Sequence, residues 1–336
     1  MKTVLAAIAA GLALLAGGKT LDIYFVDVEG GQATLIVTPA GQSLLVDTGY
    51  PGLMGRDPDR IMAAVRDARL SRIDYLIVTH LHEDHNGGAA ALSRRIPIGT
   101  FVDYGSPVET TKEVVAAFAD YEEARERSRH LVPGAGDRLP LEGVDLHVVS
   151  ADGQVLPAPL DGAGQPNAAC AGFERPADSR GENPRSIGIR LRFGAFRFLD
   201  VGDLVASKMT DLVCPRNLVG DIDAYLMTHH ANSDPSLPAV FEALRPRVAV
   251  ANNGPWKGAT PQTMSALHEL KNPVDVWQLH RTINYGAENF PDAFIANLGF
   301  EAADGASWIK LSASEDGSFS VTNGRTGWTK HYPAGK

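Results

Sequence analysis

The chain has 336 residues, of which 44% are hydrophobic, and its formal net charge is −9. This length supports a full hydrophobic core and is compatible with one large domain or two small ones. An acidic chain is a poor candidate for a protein that holds nucleic acid mainly through phosphate contacts, so no stable nucleic-acid complex is expected.

The N-terminus has the pattern of a signal peptide. Lys2 supplies a positive charge, residues 4–16 form an apolar run, and residues 16–18 are small enough for a cleavage site. A spanning helix needs roughly 20 apolar residues, so this run is too short, and no later segment is suitable. We therefore predict a signal peptide over residues 1–18, a mature domain over residues 19–336, no membrane span after signal removal, and a periplasmic or secreted protein. A buried N-terminal helix is the alternative.

In the first half of the mature chain, short apolar and β-branched runs predict strands, and helical spacing of apolar residues predicts helices. The predicted strands are residues 21–28, 33–38, 43–46, 73–78 and 138–150. The predicted helices are residues 58–70 and 109–129. Residues 151–184 are rich in Gly, Pro, Ala and Asp, and they are either a loop over the site or a poorly ordered surface insertion.

The sequence pattern of the second half of the mature chain predicts a hairpin followed by alternating helices and strands. The hairpin strands are residues 187–193 and 196–201, and the later strands are residues 224–228, 248–251 and 274–279. The predicted helices are residues 204–212, 237–244 and 260–270, and short strand-like pieces follow from Ala293. This order indicates a layered α/β chain with functional groups at strand ends, where loops converge.

The chain has two cysteines, Cys170 and Cys214. In an exported protein they form either one disulfide or two free, buried thiols, and the sequence leaves both open. Neither belongs to a CxxC pair, which argues against a cysteine-based zinc site.

The densest group of potential metal ligands lies in residues 80–88, HLHEDHNGG. Three histidines and two acidic residues occur within six positions, directly after an apolar strand. In an extended backbone His80 and His82 point to one side, and Asp84 and His85 then turn back toward a second position. Imidazole nitrogens with carboxylate oxygens suit zinc, and two such groups suit a two-metal site. A solvated polar loop is the alternative interpretation.

Four segments resemble the motifs of the metallo-β-lactamase superfamily: residues 43–49 (SLLVDTG), 79–88 (THLHEDHNGG), 198–204 (FLDVGDL) and 226–232 (LMTHHAN). The resemblance implies the metallo-β-lactamase fold, a four-layer αββα sandwich of the α/β class. It gives Asp47 the role of steadying the metal loop and Asp203 that of a bridging carboxylate. The last ligand is left open between His229 and His230.

Within this superfamily the chain is similar to the ComEC-like hydrolase domain branch, in its secreted single-domain form. The similar segments are residues 25–35, 133–146 and 183–198 together with His229-His230. Teichoic-acid phosphorylcholine esterases are similar to this branch as well. One departure is Ala231-Asn232, where the family usually has Gly-Ser.

The resemblance implies two zinc ions that share Asp203. The further ligands are His80 and His82 for one ion, and Asp84, His85 and either His229 or His230 for the other. Because His229 and His230 are adjacent, they are expected to face different ways, one binding metal and the other lining the pocket. His229 is the favoured ligand.

Many lactam hydrolases of this superfamily carry a further histidine between the HxHxDH segment and the bridging aspartate. Here only His130 and His147 lie between His85 and Asp203, and both are interpreted as structural. One metal position would then be short of a protein ligand and more open to water or substrate. This departure weakens the case for antibiotic hydrolysis.

The resemblance implies a hydrolase that uses a metal-bound hydroxide, which zinc supplies at neutral pH. Asp84 would orient the attacking water, and either the free histidine of the pair, such as His230, or His280 would protonate the leaving group. Weaker candidates for pocket residues are Asn183, Ser186, Asn252, Asn253 and Lys257.

The predicted substrate is a small molecule or polymer with a phosphoester or ester bond. A phosphodiester or a phosphorylated cell-surface compound ranks first, and a lactone, lactam or other ester ranks second. A metal-binding protein without catalysis is the alternative of a different class. The oligomeric state is left open.

Overall fold

The computed structural model describes residues 20–299 and 306–335. Residues 1–18, the predicted signal peptide, lie outside the described residues, so that interpretation stays a prediction. Within the described ranges, no helix combines the length and apolar character needed to cross a bilayer.

Strands make up most of the regular structure in these ranges. In chain order they are β1 (Leu21–Phe25), β2 (Thr34–Val37), β3 (Ser43–Val46), β4 (Ile73–Ile77), β5 (Ile98–Val102), β6 (Arg129–Leu131), β7 (Arg138–Leu139), β8 (Asp145–Ala151), β9 (Gln154–Val155), β10 (Gly188–Phe193), β11 (Phe196–Asp200), β12 (Ala224–Leu226), β13 (Val248–Ala251), β14 (Asp275–His280), β15 (Ile295–Asn297), β16 (Ile309–Ala313), β17 (Phe319–Asn323) and β18 (Thr329–Tyr332).

The described helices lie between these strands. They are α1 (Arg56–Asp67), α2 (Glu83–Asn86), α3 (Ala89–Ser93), α4 (Lys112–Arg125), α5 (Ala206–Val213), α6 (Leu237–Leu244) and α7 (Pro261–His268). Short 3-10 turns occur at Leu53–Gly55, Ala168–Cys170, Asn183–Arg185, Thr228–Ala231 and Asp292–Phe294.

The strands form two mixed sheets. The first sheet has the order β18-β17-β16-β1-β2-β3-β4-β5-β6, and the second has the order β15-β14-β13-β12-β11-β10-β8-β7, with β9 paired to β8. Strands β3 to β6 are parallel in the first sheet, and β11 to β15 are parallel in the second. Loops that follow parallel strands leave a sheet at the same edge, and the polar segments after β4 of the first sheet and after β11 and β12 of the second sheet lie together.

Two layers of sheet are covered by two layers of helices, as predicted. Successive residues of β11 point to opposite faces: Phe198 belongs to the hydrophobic cluster between the sheets, and Leu199 belongs to the cluster under α5, α6 and α7. Phe198 packs edge-on against Phe25 of the first sheet, with ring centroids 5.9 Å apart. On the other side of the first sheet, Tyr121 of α4 packs on Phe101 of β5.

Residues 151–184 are attached to the helices of the second sheet, which argues against a poorly ordered insertion. Cys170 and Cys214 form a disulfide that joins this segment to the end of α5. The side-chain amide of Asn167 donates to the carbonyls of Val213 at 3.2 Å and Ala239 at 2.9 Å. Closing a loop of this size contributes about 4 kcal/mol on the chain-entropy account. The last residues of the segment, from Glu182, reach the site described below.

Two differences between the predicted and the observed elements have local reasons. Residues 138–150 are two strands, β7 and β8, because a turn that ends at Gly143 with φ +84° separates them. Strand β5 was not predicted, because Pro97 and Gly99 interrupt its apolar run. The remaining predicted helices and strands are present, with bounds that differ by a few residues.

Candidate metal centre

Four potential ligands converge where β4, β11 and β12 end. They are Asp84, His85, Asp203 and His230, all buried, with one ligand atom of each within 4.8 Å of the others. Asp84 and His85 lie on the short helix α2, Asp203 follows β11, and His230 follows β12. The loops that follow these strands of the two sheets therefore bring together residues up to 146 positions apart (84 to 230) in the chain.

The spacing of these atoms fits a cation between them. His85 Nε2 and His230 Nε2 each lie 3.2 Å from Asp84 Oδ2, and they lie 3.4 and 3.3 Å from Asp203 Oδ1. Ligands of a tetrahedral zinc ion with bonds near 2.0 Å are separated by roughly 3.3 Å. Among the described residues, both Nε2 atoms and Asp203 Oδ1 are buried without a hydrogen-bond partner. Because buried polar atoms normally have one, this is the arrangement expected of a metal position.

A second group of ligand atoms faces the other oxygen of the same carboxylate. Asp203 Oδ2 lies 3.9 Å from His80 Nε2 and 3.6 Å from His229 Nε2. His80 Nε2 is in turn 3.0 Å from His82 Nδ1. The two oxygens of Asp203 thus point to two different sets of histidines, which is the geometry required of a bridging carboxylate.

The adjacent histidines His229 and His230 both face Asp203, so the expectation that they point in different ways is wrong. They lie in the turn Thr228–Ala231, where His229, His230 and Ala231 have φ values of 53°, 57° and 60°. Side chains alternate only in an extended strand, and this left-handed turn removes the alternation. Three such residues in succession are unfavourable and are typical of functional sites. Ala231 occupies a position where the family usually has glycine. Glycine adopts a positive φ more readily than alanine does.

Asp47 sets the orientation of His85. Its carboxylate accepts hydrogen bonds from the backbone N–H and the hydroxyl of Thr79, both at 2.7 Å, and lies 2.7 Å from His85 Nδ1. A proton on Nδ1 that is donated to Asp47 leaves the lone pair of Nε2 directed at the metal position. The structure thus gives Asp47 the contact that the resemblance implied.

His82 is supported by residues that the sequence did not single out. Glu109 Oε2 lies 3.4 Å from His82 Nε2. The buried carboxylate of Glu182 accepts the backbone N–H groups of Val108 at 2.6 Å and Glu109 at 2.8 Å, and it also accepts the hydroxyl of Tyr104. No local pattern distinguishes Glu109 or Glu182 from other acidic residues, because their role arises only when distant segments pack together.

Burial disfavours the charged form of each group in the centre, and the neighbouring charges act with or against burial in setting its pKa. Despite burial, the histidines beside them hold the pKa values of Asp84 and Asp203 well below the ordinary range. The carboxylates of Asp203, Asp84 and Asp47 overcome burial and raise the pKa of His85 well above its ordinary value. Burial, together with His85, lowers the pKa of His80. The carboxylates are therefore ionised and ready for a cation.

His280 lies in a separate polar cluster. Its Nε2 is 2.8 Å from Asp27 Oδ2, and the carboxylate of Glu29 completes this group of three potential ligands. Arg60 pairs with Asp27 at 3.2 Å and with Glu29 at 2.8 Å, and Arg56 pairs with Glu29 at 2.6 Å. These arginines neutralise the carboxylates, so the cluster does not favour a metal ion. A proton-donor role for His280 stays a prediction.

Of the asparagines among the weaker candidates, Asn183 lies beside a proposed ligand, and Asn252 and Asn253 contact neighbouring loops. Asn183 Nδ2 is 3.5 Å from His229 Nε2, at the start of a 3-10 turn. Asn252 donates to the side-chain oxygen of Gln32 at 3.2 Å, and Asn253 donates to the carbonyl of His280 at 2.9 Å. These amides join loops around the centre.

The remaining histidines between the two main ligand motifs are paired elsewhere. His130 Nε2 lies 2.9 Å from Asp103, and His147 Nε2 lies 3.2 Å from Asp145. These pairs agree with the structural interpretation of both residues. Ser186 is buried, and its carbonyl accepts the hydroxyl of Ser150 at 2.9 Å.

A family model described as the metallo-β-lactamase superfamily matches residues 26–166. Coenzyme F420H(2) oxidase of Methanothermobacter marburgensis is 28% identical over 129 residues, which are 38% of this chain and 28% of that protein. Recombination protein 2 of Haemophilus influenzae is 23% identical over 259 residues, which are 76% of this chain and 27% of that protein. The chain therefore spans little more than a quarter of the length of these relatives.

One similar solved structure is the metallo-β-lactamase fold protein YhfI from Bacillus subtilis. The TM-score is 0.45 at 11% identity, with coverage of 76% of this chain and 96% of that chain. The family model includes Asp47 and the segment from His80 to His85, and the two sheets with their outer helices give the expected layers. This chain has the metallo-β-lactamase fold, and its residues 26–166 are similar to the metallo-β-lactamase superfamily.

Proposed function

We propose that this protein is a zinc-dependent hydrolase with two metal positions and that its substrate is a phosphodiester or another phosphorylated compound. The observation that carries the proposal is the carboxylate of Asp203, whose two oxygens face separate groups of histidines. Export to the periplasm or the medium is part of the proposal. It is supported by the pattern of residues 1–18 and agrees with the disulfide, because disulfides persist in oxidising compartments.

The proposed ligand atoms form two sets. The first is His80 Nε2, His82 Nδ1, His229 Nε2 and Asp203 Oδ2, and the second is Asp84 Oδ2, His85 Nε2, His230 Nε2 and Asp203 Oδ1. In this assignment His229 supplies the histidine that neither His130 nor His147 provides. Zinc is proposed because imidazole with carboxylate suits it, although iron accepts the same donors. The metal content of the isolated protein distinguishes the two.

The residues of the chain organise the chemistry that the metal supplies. Zinc, when bound, lowers the pKa of water to roughly 7 and so provides a nucleophile at neutral pH. Asp84 lies between His85 and His230 and is placed to orient that nucleophile. His229 is the more accessible of the adjacent histidines, with 36% of its side chain exposed, so the first position is the one nearer to solvent.

A positive side chain at the centre favours an anionic substrate over a neutral one. The ammonium of Lys257 contacts Asp84 Oδ2 and lies 3.3 Å from the hydroxyl of Tyr50. Burial opposes this charge, but Asp84 raises the pKa of Lys257, so the side chain is charged at neutral pH. An ammonium beside the second metal position suits a phosphoryl group, whose charge grows during hydrolysis. A neutral lactone would gain less from the positive charge of Lys257.

The proposal is tested by hydrolysis of bis(4-nitrophenyl) phosphate by the zinc-loaded protein. We expect turnover in the wild type and a loss of roughly a thousandfold in Asp84→Ala, because that carboxylate belongs to the centre. The matched control is Asp120→Ala, an exposed aspartate on α4, which should keep wild-type turnover. Wild-type protein that binds zinc but leaves the ester intact would overturn the phosphodiester proposal and direct the search to lactones and carboxylic esters. Equal turnover in Asp84→Ala would overturn the proposed centre.

A further inference from the structure

An open pocket adjoins the metal centre beside the loop that follows β13. Its volume is about 480 Å³, and its lining includes Asn232, Trp256, Lys257, Thr260, Asn284 and Tyr285. We infer that this pocket is a subsite for the sugar ring of a phosphorylated carbohydrate whose phosphoryl group lies at the metal centre. The inference deepens the proposed function and rests on it for the position of the phosphoryl group.

Two aromatic side chains in the pocket are exposed. Trp256 is 71% exposed and Tyr285 is fully exposed, whereas most aromatic residues of the described part are buried in the two clusters. Of the large hydrophobic side chains exposed there, the only other aromatic one is Trp328, at 38%. Trp328 stacks on Trp277 at 5.4 Å and so has a structural partner. Trp256 and Tyr285 instead offer flat, uncovered apolar surface, which suits a ring-shaped ligand.

Lys257 connects the pocket to the metal centre. Its ammonium contacts Asp84, and the same side chain lines the pocket. Its stem fits against Gly30, where a Cβ atom would lie 2.8 Å from the Cβ of Lys257. It is also the one charged residue in the lining of this pocket. A ligand with a single phosphoryl group next to its ring therefore matches the charge that the pocket offers.

The pocket is held rigidly against the metal-binding turn. The backbone N–H of Ala259 donates to the carbonyl of His230 at 2.9 Å, and the N–H of Ile283 donates to the carbonyl of Pro255 at 2.9 Å. Gly258 has φ +75°, and a Cβ atom there would lie 2.0 Å from the carbonyl oxygen of His230. The loop is packed so closely on the turn that ring and phosphoryl subsites keep a fixed separation, which lowers the entropic cost of binding.

The remaining polar groups favour a sugar over a nucleic acid. The lining also contains Asn232, Thr260 and Asn284. The amide nitrogen of Asn284 donates to the carbonyl of Gly258 and the hydroxyl of Thr260 donates to Thr263, which leaves the acceptor oxygens of both side chains for the hydroxyl groups of a carbohydrate. Nucleic-acid binding depends on several cations along the backbone, and this lining has one in a chain of net charge −9. A phosphorylated sugar uses every feature of the pocket: one cation, flat apolar surface and neutral hydrogen-bonding groups.

The inference is tested by calorimetric binding of glucose 1-phosphate and of inorganic phosphate to the zinc-loaded protein. We expect Trp256→Ala to weaken glucose 1-phosphate binding by roughly five- to tenfold, because a ring contact is lost. Binding of inorganic phosphate, which has no ring, should not change. Lys257→Met should weaken both ligands by a similar factor. Val115→Ala, which removes an exposed apolar group on α4, is the matched control and should change neither.

Two results would overturn the subsite. One is equal binding of glucose 1-phosphate by the wild type and Trp256→Ala. The other is tighter binding of adenosine 5′-monophosphate than of glucose 1-phosphate, which would identify a nucleotide pocket. Because binding does not require turnover, sugar-phosphate binding that depends on Trp256, without hydrolysis of the aryl phosphodiester, would overturn the proposed function alone. Hydrolysis of the aryl phosphodiester, together with equal binding of glucose 1-phosphate by the wild type and Trp256→Ala, would overturn the subsite alone.

Discussion

Replacing Asp203 by alanine is expected to remove both metal ions and to reduce kcat/KM by roughly a thousandfold or more. The reason is that its two oxygens face different histidine sets, at 3.3 to 3.4 Å on one side and 3.6 to 3.9 Å on the other. A ligand that belonged to one position would release one ion. The measurement is zinc content after dialysis, together with turnover of the aryl phosphodiester.

The control for Asp203→Ala is again Asp120→Ala, which changes the same residue type on an exposed helix face. Circular dichroism establishes that both variants are folded. If Asp203→Ala kept two zinc ions per chain, its carboxylate would not be the bridge. If it kept one, Asp203 would belong to a single position.

Asp47→Asn is expected to weaken zinc affinity by roughly 10- to 100-fold. One oxygen of Asp47 accepts from the hydroxyl of Thr79 and lies 2.7 Å from His85 Nδ1. An amide nitrogen in that place would donate instead, so it favours the His85 tautomer that carries its proton on Nε2. That proton would lie at the metal position. Competition with a chelator of known zinc affinity measures the change.

A matched variant separates this effect from a general loss of stability. Asp223→Asn changes a partly buried carboxylate that accepts the backbone N–H of Arg197 and pairs with Arg247, at the start of β12. It should lower the free energy of unfolding without changing zinc affinity. Equal zinc affinity in Asp47→Asn and the wild type would mean that Asp47 does not control the tautomer of His85.

Much of the centre could be predicted because its ligands are local in sequence. His80, His82, Asp84 and His85 lie within six positions after one apolar strand, and the structure brings them to one sheet edge. Asp203 was identified through the resemblance of residues 198–204 to a motif of the superfamily. The layered α/β architecture followed from the same strands and helices, since their apolar faces must pack on each other.

Other features depend on conformation or on distant packing, which periodicity does not encode. The left-handed turn at His229 and His230 removes the alternation of side-chain directions that an extended strand would have. The direction of both rings was therefore not predictable. Glu182 reaches Glu109, which faces His82, only after folding, because the two glutamates are 73 positions apart (109 to 182). The disulfide was one of two open alternatives until the spatial position of Cys170 was known.

The most direct test of the two-metal centre is the number of zinc ions bound per chain, measured by elemental analysis after dialysis of the wild type and of His229→Ala. We expect two ions in the wild type. We expect one in His229→Ala, because the set that contains His230 stays complete. A single ion in the wild type, or two ions retained in His229→Ala, would contradict the proposed assignment of ligands.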